Sequence, residues 1–154
     1  MLTLQTYSDG GARGNPGPSA IGVVLCDEKG HVIHEASKTI GERTNNQAEY
    51  EAMIFALQLA QERKARHLHC HADSELLFYQ IQGTYRIKNV HLKALLEKVK
   101  SLTSGFDSIT FRQIPRTHPM IARADKLLNQ TLDKARHRVP SEPVKKNRIQ
   151  EELF

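Results

Sequence analysis

The chain has 154 residues, the length of one ordinary domain, and a hydrophobic fraction of 39% is enough for a core. No apolar run approaches bilayer length, and the opening MLTLQTYSDG lacks the basic-then-apolar pattern of a secretory leader, so membrane and secreted classes are disfavoured and a cytoplasmic protein is expected. A net charge of +5 leaves a polyanionic partner in play without selecting one.

Residues 2–8, LTLQTYS, alternate apolar and polar side chains and read as a first strand. Asp9 stands at its end, followed at once by Gly10, Gly11 and a turn-forming GNPG run. Residues 20–27 are a continuous apolar run and a second strand; Glu28, Lys29 and Gly30 turn the chain into a third at 31–40. Three strands on short turns make an antiparallel meander. The period then changes. Thr44 caps a helix in which Ala48, Ala52, Phe55, Ala56 and Leu59 recur at three- and four-residue steps. Residues 67–73 read as a fourth strand, and Ser74 caps the helix that follows. Residues 90–102 form another helix, 107–114 a fifth strand, Pro115 to Pro119 a loop, and 121–136 a last helix. The order β-β-β-α-β-α-α-β-α predicts an α/β fold, a mixed five-stranded sheet flanked by helices. Residues 1–136 form the domain; 137–154 are basic, carry two prolines and read as a flexible tail.

Cys26 and Cys70 lie in apolar strand segments and read as reduced, buried thiols. His67, His69 and His71 alternate along the fourth strand and share one face. The outer pair is too widely spaced to hold one ion, which makes a polar strand face the simpler reading.

Four carboxylates stand out by position. Asp9 ends the first strand, Glu49 lies in the first turns of the long helix, Asp73 ends the fourth strand and Asp125 lies in the last helix. Singly, each is ordinary, because acids are common at strand ends and favourable at helix N-termini. With their neighbours they match one pattern. Through YSDGGARGNPG, TNNQAEYEA, ADSELL and RADKLLN, in that order, the chain resembles the type 1 ribonuclease H family over about residues 3 to 135.

The resemblance implies a ribonuclease H-like fold in which strands 1 and 4 are neighbours, so that Asp9 and Asp73 lie side by side and helices bring in Glu49 and Asp125. That order also separates Cys26 from Cys70 by a strand, beyond disulfide reach. Crowded carboxylates repel and take up protons unless a cation intervenes, and oxygen-only ligands suit Mg²⁺ or Mn²⁺. The family uses two such ions to hydrolyse a phosphodiester, leaving a 5′-phosphate and a 3′-hydroxyl. By the same likeness Asp9 bridges both ions, Glu49 and Asp73 complete one site, and Asp125 the other. Gly10 and Gly11 are expected to leave room for a nucleic acid backbone beside the acid. Asn15, Asn45 and Asn46 are candidates to touch a hybrid through its minor groove, backbone groups near Gly11 and Ala12 to read 2′-hydroxyls, and Arg43 and Thr44 to hold a phosphate of the DNA strand. The expected partner is an RNA–DNA hybrid, and the expected state a monomer.

The chain departs from the family in several places. Many relatives carry a loop His ten residues before the last Asp, where this chain has Pro115; His118 is the candidate auxiliary in its place. Glu75 stands where relatives carry Gln, and Ile121 where they carry Asn. The basic protrusion of some relatives is missing, which leaves hybrid affinity to scattered cations such as Arg86, Lys88 and Lys93 and makes it strongly salt-dependent. Beyond the family match, Gln150, Leu153 and Phe154 resemble the Gln-x-x-Leu-Phe motif by which bacterial proteins bind the sliding clamp, two apolar anchors and a register-fixing amide. The competing readings are a non-catalytic hybrid-binding module and a nuclease of the same fold that acts on DNA.

Overall fold

Hydrogen-bond pairing of the strands organises the molecule. The computed structural model describes residues 2–138. The strands are β1 (Thr3–Ala12), β2 (Gly17–Asp27), β3 (Val32–Arg43), β4 (His67–Ala72) and β5 (Ser108–Gln113). The helices are α1 (Asn45–Glu62), α2 (Glu75–Gln82), α3 (Val90–Thr103) and α4 (Pro119–Arg138). One mixed sheet results, in the order β3-β2-β1-β4-β5. β1, β2 and β3 pair antiparallel; β4 joins β1, and β5 joins β4, in parallel. β1 and β4 are therefore neighbours at the centre, and Cys26 and Cys70 lie on strands that β1 separates, both buried and unpaired.

Alternation along the strands sorts side chains onto two faces. Leu4 of β1, Leu25 of β2, Leu68 and Cys70 of β4 join Met53, Leu57 and Ala60 of α1 and Leu92, Leu96 and Val99 of α3 in the main core. α1 lies between the sheet and α3, which is why it is buried on nearly all sides. On the opposite face α4 covers β1, β2 and β3 and packs Ile121 and Ala124 against Tyr7, Val24 and Cys26. Ile121, a departure from the family, is thus a fully buried core residue.

The expected caps form at two helix starts, and the structure adds a third. Thr44 Oγ1 accepts the Gln47 N–H while Gln47 Oε1 accepts the Thr44 N–H, a reciprocal capping box. Ser74 caps α2 and Asn89 caps α3. α4 begins earlier than its apolar period implies, at Pro119, a residue suited to a first helical turn because it lacks an N–H that would go unbonded there. β1 and β3 also run longer than their patterning predicts. Among the described residues, no helix is long and apolar enough to cross a membrane.

Candidate active site

The four acids arrive from four segments, and two backbone contacts bring them together. Asp9, 3% exposed, lies within β1 opposite Gly22 of β2. Parallel pairing sets Tyr7 opposite His71, so Asp73, just past the end of β4, emerges beside Asp9. Glu49 follows Ala48, whose carbonyl oxygen lies 2.1 Å from where a Gly10 Cβ would stand. Asp125 follows Ala124, whose carbonyl oxygen lies 2.3 Å from the equivalent point at Gly22. Neither gap admits a methyl group. Gly10 is the chain neighbour of Asp9 and Gly22 its cross-strand partner, so each helix rests on bare backbone beside the central acid and delivers its own acid one residue later.

This corrects two expectations. β1 does not stop at Asp9; Gly10, Gly11 and Ala12 stay paired with Ile21, Ala20 and Ser19 of β2. The missing side chain of Gly10 is clearance for α1, not for a nucleic acid; at Gly11 a Cβ would meet only Leu128 Cδ1, at an ordinary 3.5 Å.

Oxygen atoms of Asp9, Glu49 and Asp73 lie within 4.8 Å of one another. Asp125 joins Asp9 through a side-chain hydrogen bond, and the Arg116 guanidinium lies 3.7 Å from Asp125. Burial, then the Asp73 charge and the hydrogen bond with Asp125, push the Asp9 carboxyl up to about 8. Burial, then Asp9 and Asp73, hold Glu49 well above the ordinary carboxylate range, against the opposing pull of the Gly10 amide. One oxygen of Glu49 and one of Asp73 are shielded from solvent with no hydrogen-bond partner. Buried acceptors without donors, crowded acids and an all-oxygen donor set together fit a hard divalent cation, which would displace the shared protons and satisfy the orphaned oxygens.

Of the predicted substrate residues, Gly10, Gly11, Ala12 and Asn45 line a cavity beside the acids. Asn15 Oδ1 accepts the Asn45 N–H at 3.0 Å, and Asn45 Oδ1 accepts the Ala12 N–H at 2.9 Å. The GNPG turn, β1 and the start of α1 are thereby tied to one another. Neither Asn45 nor Asn46 caps α1, since Thr44 does; Asn46 is exposed at its first turn. Arg43 Nε donates to Glu51 at 2.5 Å and Nη1 to the Glu42 carbonyl. His118 is not a free loop residue. Its Nδ1 accepts the Met120 N–H at the start of α4, and its ring stacks on Tyr7, which stacks on His71. His67 and His69, on the same strand face as His71, bond hydroxyls of β5 instead, as a polar face would. Arg86, Lys88 and Lys93 are exposed, and so is Glu75 in the first turn of α2.

A cavity of about 420 Å³ opens beside the acids, lined among others by Gly11, Ala12, Asn45, Glu49, Arg116 and Asp125. A larger apolar groove of about 670 Å³ lies between Pro18, Thr39 and the Leu132–Arg136 end of α4, and holds none of the four acids. Sequence patterning missed Arg116 at this cavity, and also Arg13, which ties the GNPG turn to Asn129 and Asp133 of α4. A single loop arginine has no period and no spacing to reveal it.

The family described as reverse transcriptase-like matches residues 7–129. Ribonuclease HI of Halobacterium salinarum is 38% identical over 132 residues, 86% of this chain and 65% of that protein, so the chain spans just under two thirds of this curated relative. The crystal structure of ribonuclease H1 from the same archaeon superposes with a TM-score of 0.83 at 37% identity, over 86% of this chain and 98% of that one. LC11-RNase H1, solved in complex with an RNA/DNA hybrid, gives a TM-score of 0.80 at 44% identity, over 86% of this chain and 98% of the other.

Proposed function

The chain belongs to the type 1 ribonuclease H family, and from that membership we propose that it is an endoribonuclease that hydrolyses the RNA strand of RNA–DNA hybrids, leaving 5′-phosphate and 3′-hydroxyl ends. The observation that carries this reading is the convergence of Asp9, Glu49 and Asp73, with oxygens within 4.8 Å of one another, one oxygen each of Glu49 and Asp73 buried without a partner, and Glu49 at the wall of an open cavity. A protein that only bound nucleic acid would gain nothing from such a cluster, which repels phosphate until a cation fills it.

Two Mg²⁺ ions, with Mn²⁺ as a substitute, are the cofactors this donor set fits. Asp9 would serve both, Glu49 and Asp73 one, and Asp125 the other. Bound there, the ions supply an activated attacking water and neutralise charge at the leaving oxygen. The chain itself orients the substrate. Both Asn15 Oδ1 and Asn45 Oδ1 are occupied by backbone N–H groups, which leaves their amide nitrogens to donate outward. Donors suit a minor groove, where every base pair offers acceptors and the 2′-oxygen marks the RNA strand. Recognition of this kind is independent of sequence. Arg43 keeps Nη2 for a phosphate of the DNA strand, beside Thr44.

Incubation with Mg²⁺ or Mn²⁺ and labelled hybrid, double-stranded RNA and duplex DNA tests the reading. Cleavage of the hybrid alone supports it, binding without cleavage leaves a recognition module, and cleavage of DNA reassigns the substrate. The same proposal takes residues 1–136 as a monomeric catalytic domain in the cytoplasm, where two unpaired buried thiols are at home. Gln150, Leu153 and Phe154 lie outside the described residues; their proposed docking to a bacterial sliding clamp fails if deleting residues 150–154 leaves clamp binding unchanged.

A further inference from the structure

Three of the four acids are fixed by strand pairing or by backbone resting on backbone. Asp9 lies inside β1, Glu49 follows the Ala48 carbonyl seated on Gly10, and Asp125 follows the Ala124 carbonyl seated on Gly22. Asp73 is placed differently. It stands in the short junction between β4, which ends at Ala72, and α2, which begins at Glu75. The sheet holds its neighbour, since the Ile114 N–H bonds the Ala72 carbonyl, while the carbonyl of Asp73 itself accepts the exposed Gln113 side-chain amide at 3.2 Å. On its other side Ser74 caps α2, so Asp73 moves with the start of that helix.

α2 has 8 residues and buries two side chains, Leu77 and Gln80. Leu77 joins the apolar core, a contact without direction. Gln80 Oε1 accepts the Tyr50 hydroxyl at 2.6 Å, and both residues are buried. Among the described residues this is the one buried hydrogen bond between two side chains. Tyr50 is the residue after Glu49 on α1. The bond therefore ties the helix that follows Asp73 to the residue that follows Glu49. Stability does not explain the pair. A phenylalanine and a leucine would fill the same space without burying a hydroxyl and an amide, at little or no net cost. An apolar pair lacks direction, whereas a hydrogen bond fixes how α2 is turned and how far it is shifted along α1.

We propose that Tyr50 and Gln80 are positioning residues for metal binding: their hydrogen bond seats α2 on α1 and so sets the separation of Asp73 from Glu49. These are the two acids with an oxygen buried and unpartnered, and together they would complete one metal site. The proposal rests on the metal-dependent reading given above. Neither Tyr50 nor Gln80 touches substrate or cation; both act through the acids beside their helices.

The test is calorimetric titration of Mn²⁺ into wild type, Tyr50→Phe, Gln80→Leu and the double variant, with thermal denaturation of each in EDTA. Either single change leaves one buried polar group without its partner and should lower the melting point. The double change removes both groups and should return the melting point toward wild type. Metal affinity should not follow it back. We expect Mn²⁺ to bind about threefold to tenfold more weakly in all three variants, at or below the lower end of the loss seen when a group bonded directly to a metal ligand is removed. The Mg²⁺ concentration for half-maximal hybrid cleavage should rise by the same factor, with hybrid affinity in EDTA unchanged. Wild-type Mn²⁺ affinity in the single variants, or an affinity that recovers with the melting point in the double variant, overturns the proposal and leaves the ribonuclease reading intact. Wild type that binds no Mn²⁺ overturns the metal-dependent reading as well.

Discussion

Replacing Asp9 with Asn should make the metal-free protein more stable while abolishing hydrolysis. The Asp9 carboxyl is raised from 3.8 to about 8 in the folded chain, chiefly by burial and then by Asp73. A group whose folded value lies above its unfolded value binds its proton more tightly when folded, so its contribution is present at low pH and is lost as pH rises through the folded value. At about 1.36 kcal/mol per pH unit, the ceiling on that loss is about 6 kcal/mol. The cavity admits water beside the acids and the proton is shared with neighbours, so we expect about 2 kcal/mol to be recovered in Asp9→Asn. For a domain of this size that is a melting point higher by about 5–8 °C. The assay is thermal denaturation in EDTA, with the gap over wild type widest near pH 8.5 and narrowing toward pH 4. Saturating Mg²⁺ or Mn²⁺ should close or invert it, because the ions stabilise only a folded state that keeps the full ligand set. Asp9→Asn no more stable than wild type at pH 8.5 in EDTA would refute the account of the cluster as a strained, cation-requiring site.

The same protons predict metal binding that tightens as pH rises toward about 8, with proton release; calorimetry in two buffers of different ionisation enthalpy should give a heat that depends on the buffer. Gly10→Ala and Gly22→Ala should each destabilise by about 1–3 kcal/mol or more, since a methyl at either would stand 2.1 or 2.3 Å from a helix carbonyl, whereas Gly11→Ala, with 3.5 Å to Leu128 Cδ1, should stay near wild type in urea titration. Asn45→Ala removes the acceptor for the Ala12 N–H and a donor from the cavity, so KM for hybrid should rise several-fold with a smaller change in kcat.

Much of this architecture was legible in the amino-acid order because burial imposes periods. The alternation in LTLQTYS and the three- and four-residue steps from Ala48 to Leu59 each report one apolar face, and Thr44 and Ser74 mark helix starts by chemistry that is local to the chain. The acids stood out through their neighbours rather than their own identity. What was not legible depends on contacts distant in the chain. Asp9 reads as a strand end because two glycines follow it, and only the approach of Ala48 explains why the first of them, still paired within the strand, carries no side chain. His118 reads as a free loop histidine because Tyr7, on which its ring stacks, is 111 residues away. Ile121 reads as a lost polar contact until α4 is seen to press it against Tyr7 and Val24.

The nesting of two alanine carbonyls on Gly10 and Gly22 has a consequence for how such a molecule tolerates change. Main-chain atoms have no rotamers, so a spacing set by backbone meeting backbone does not drift when neighbouring side chains are exchanged. The interior can accumulate volume-conserving replacements while the gauge between its acids stays the same. Divergent descendants would therefore be expected to hold on to two methyl-free positions and the small residues facing them more stubbornly than to the greasy bulk around them.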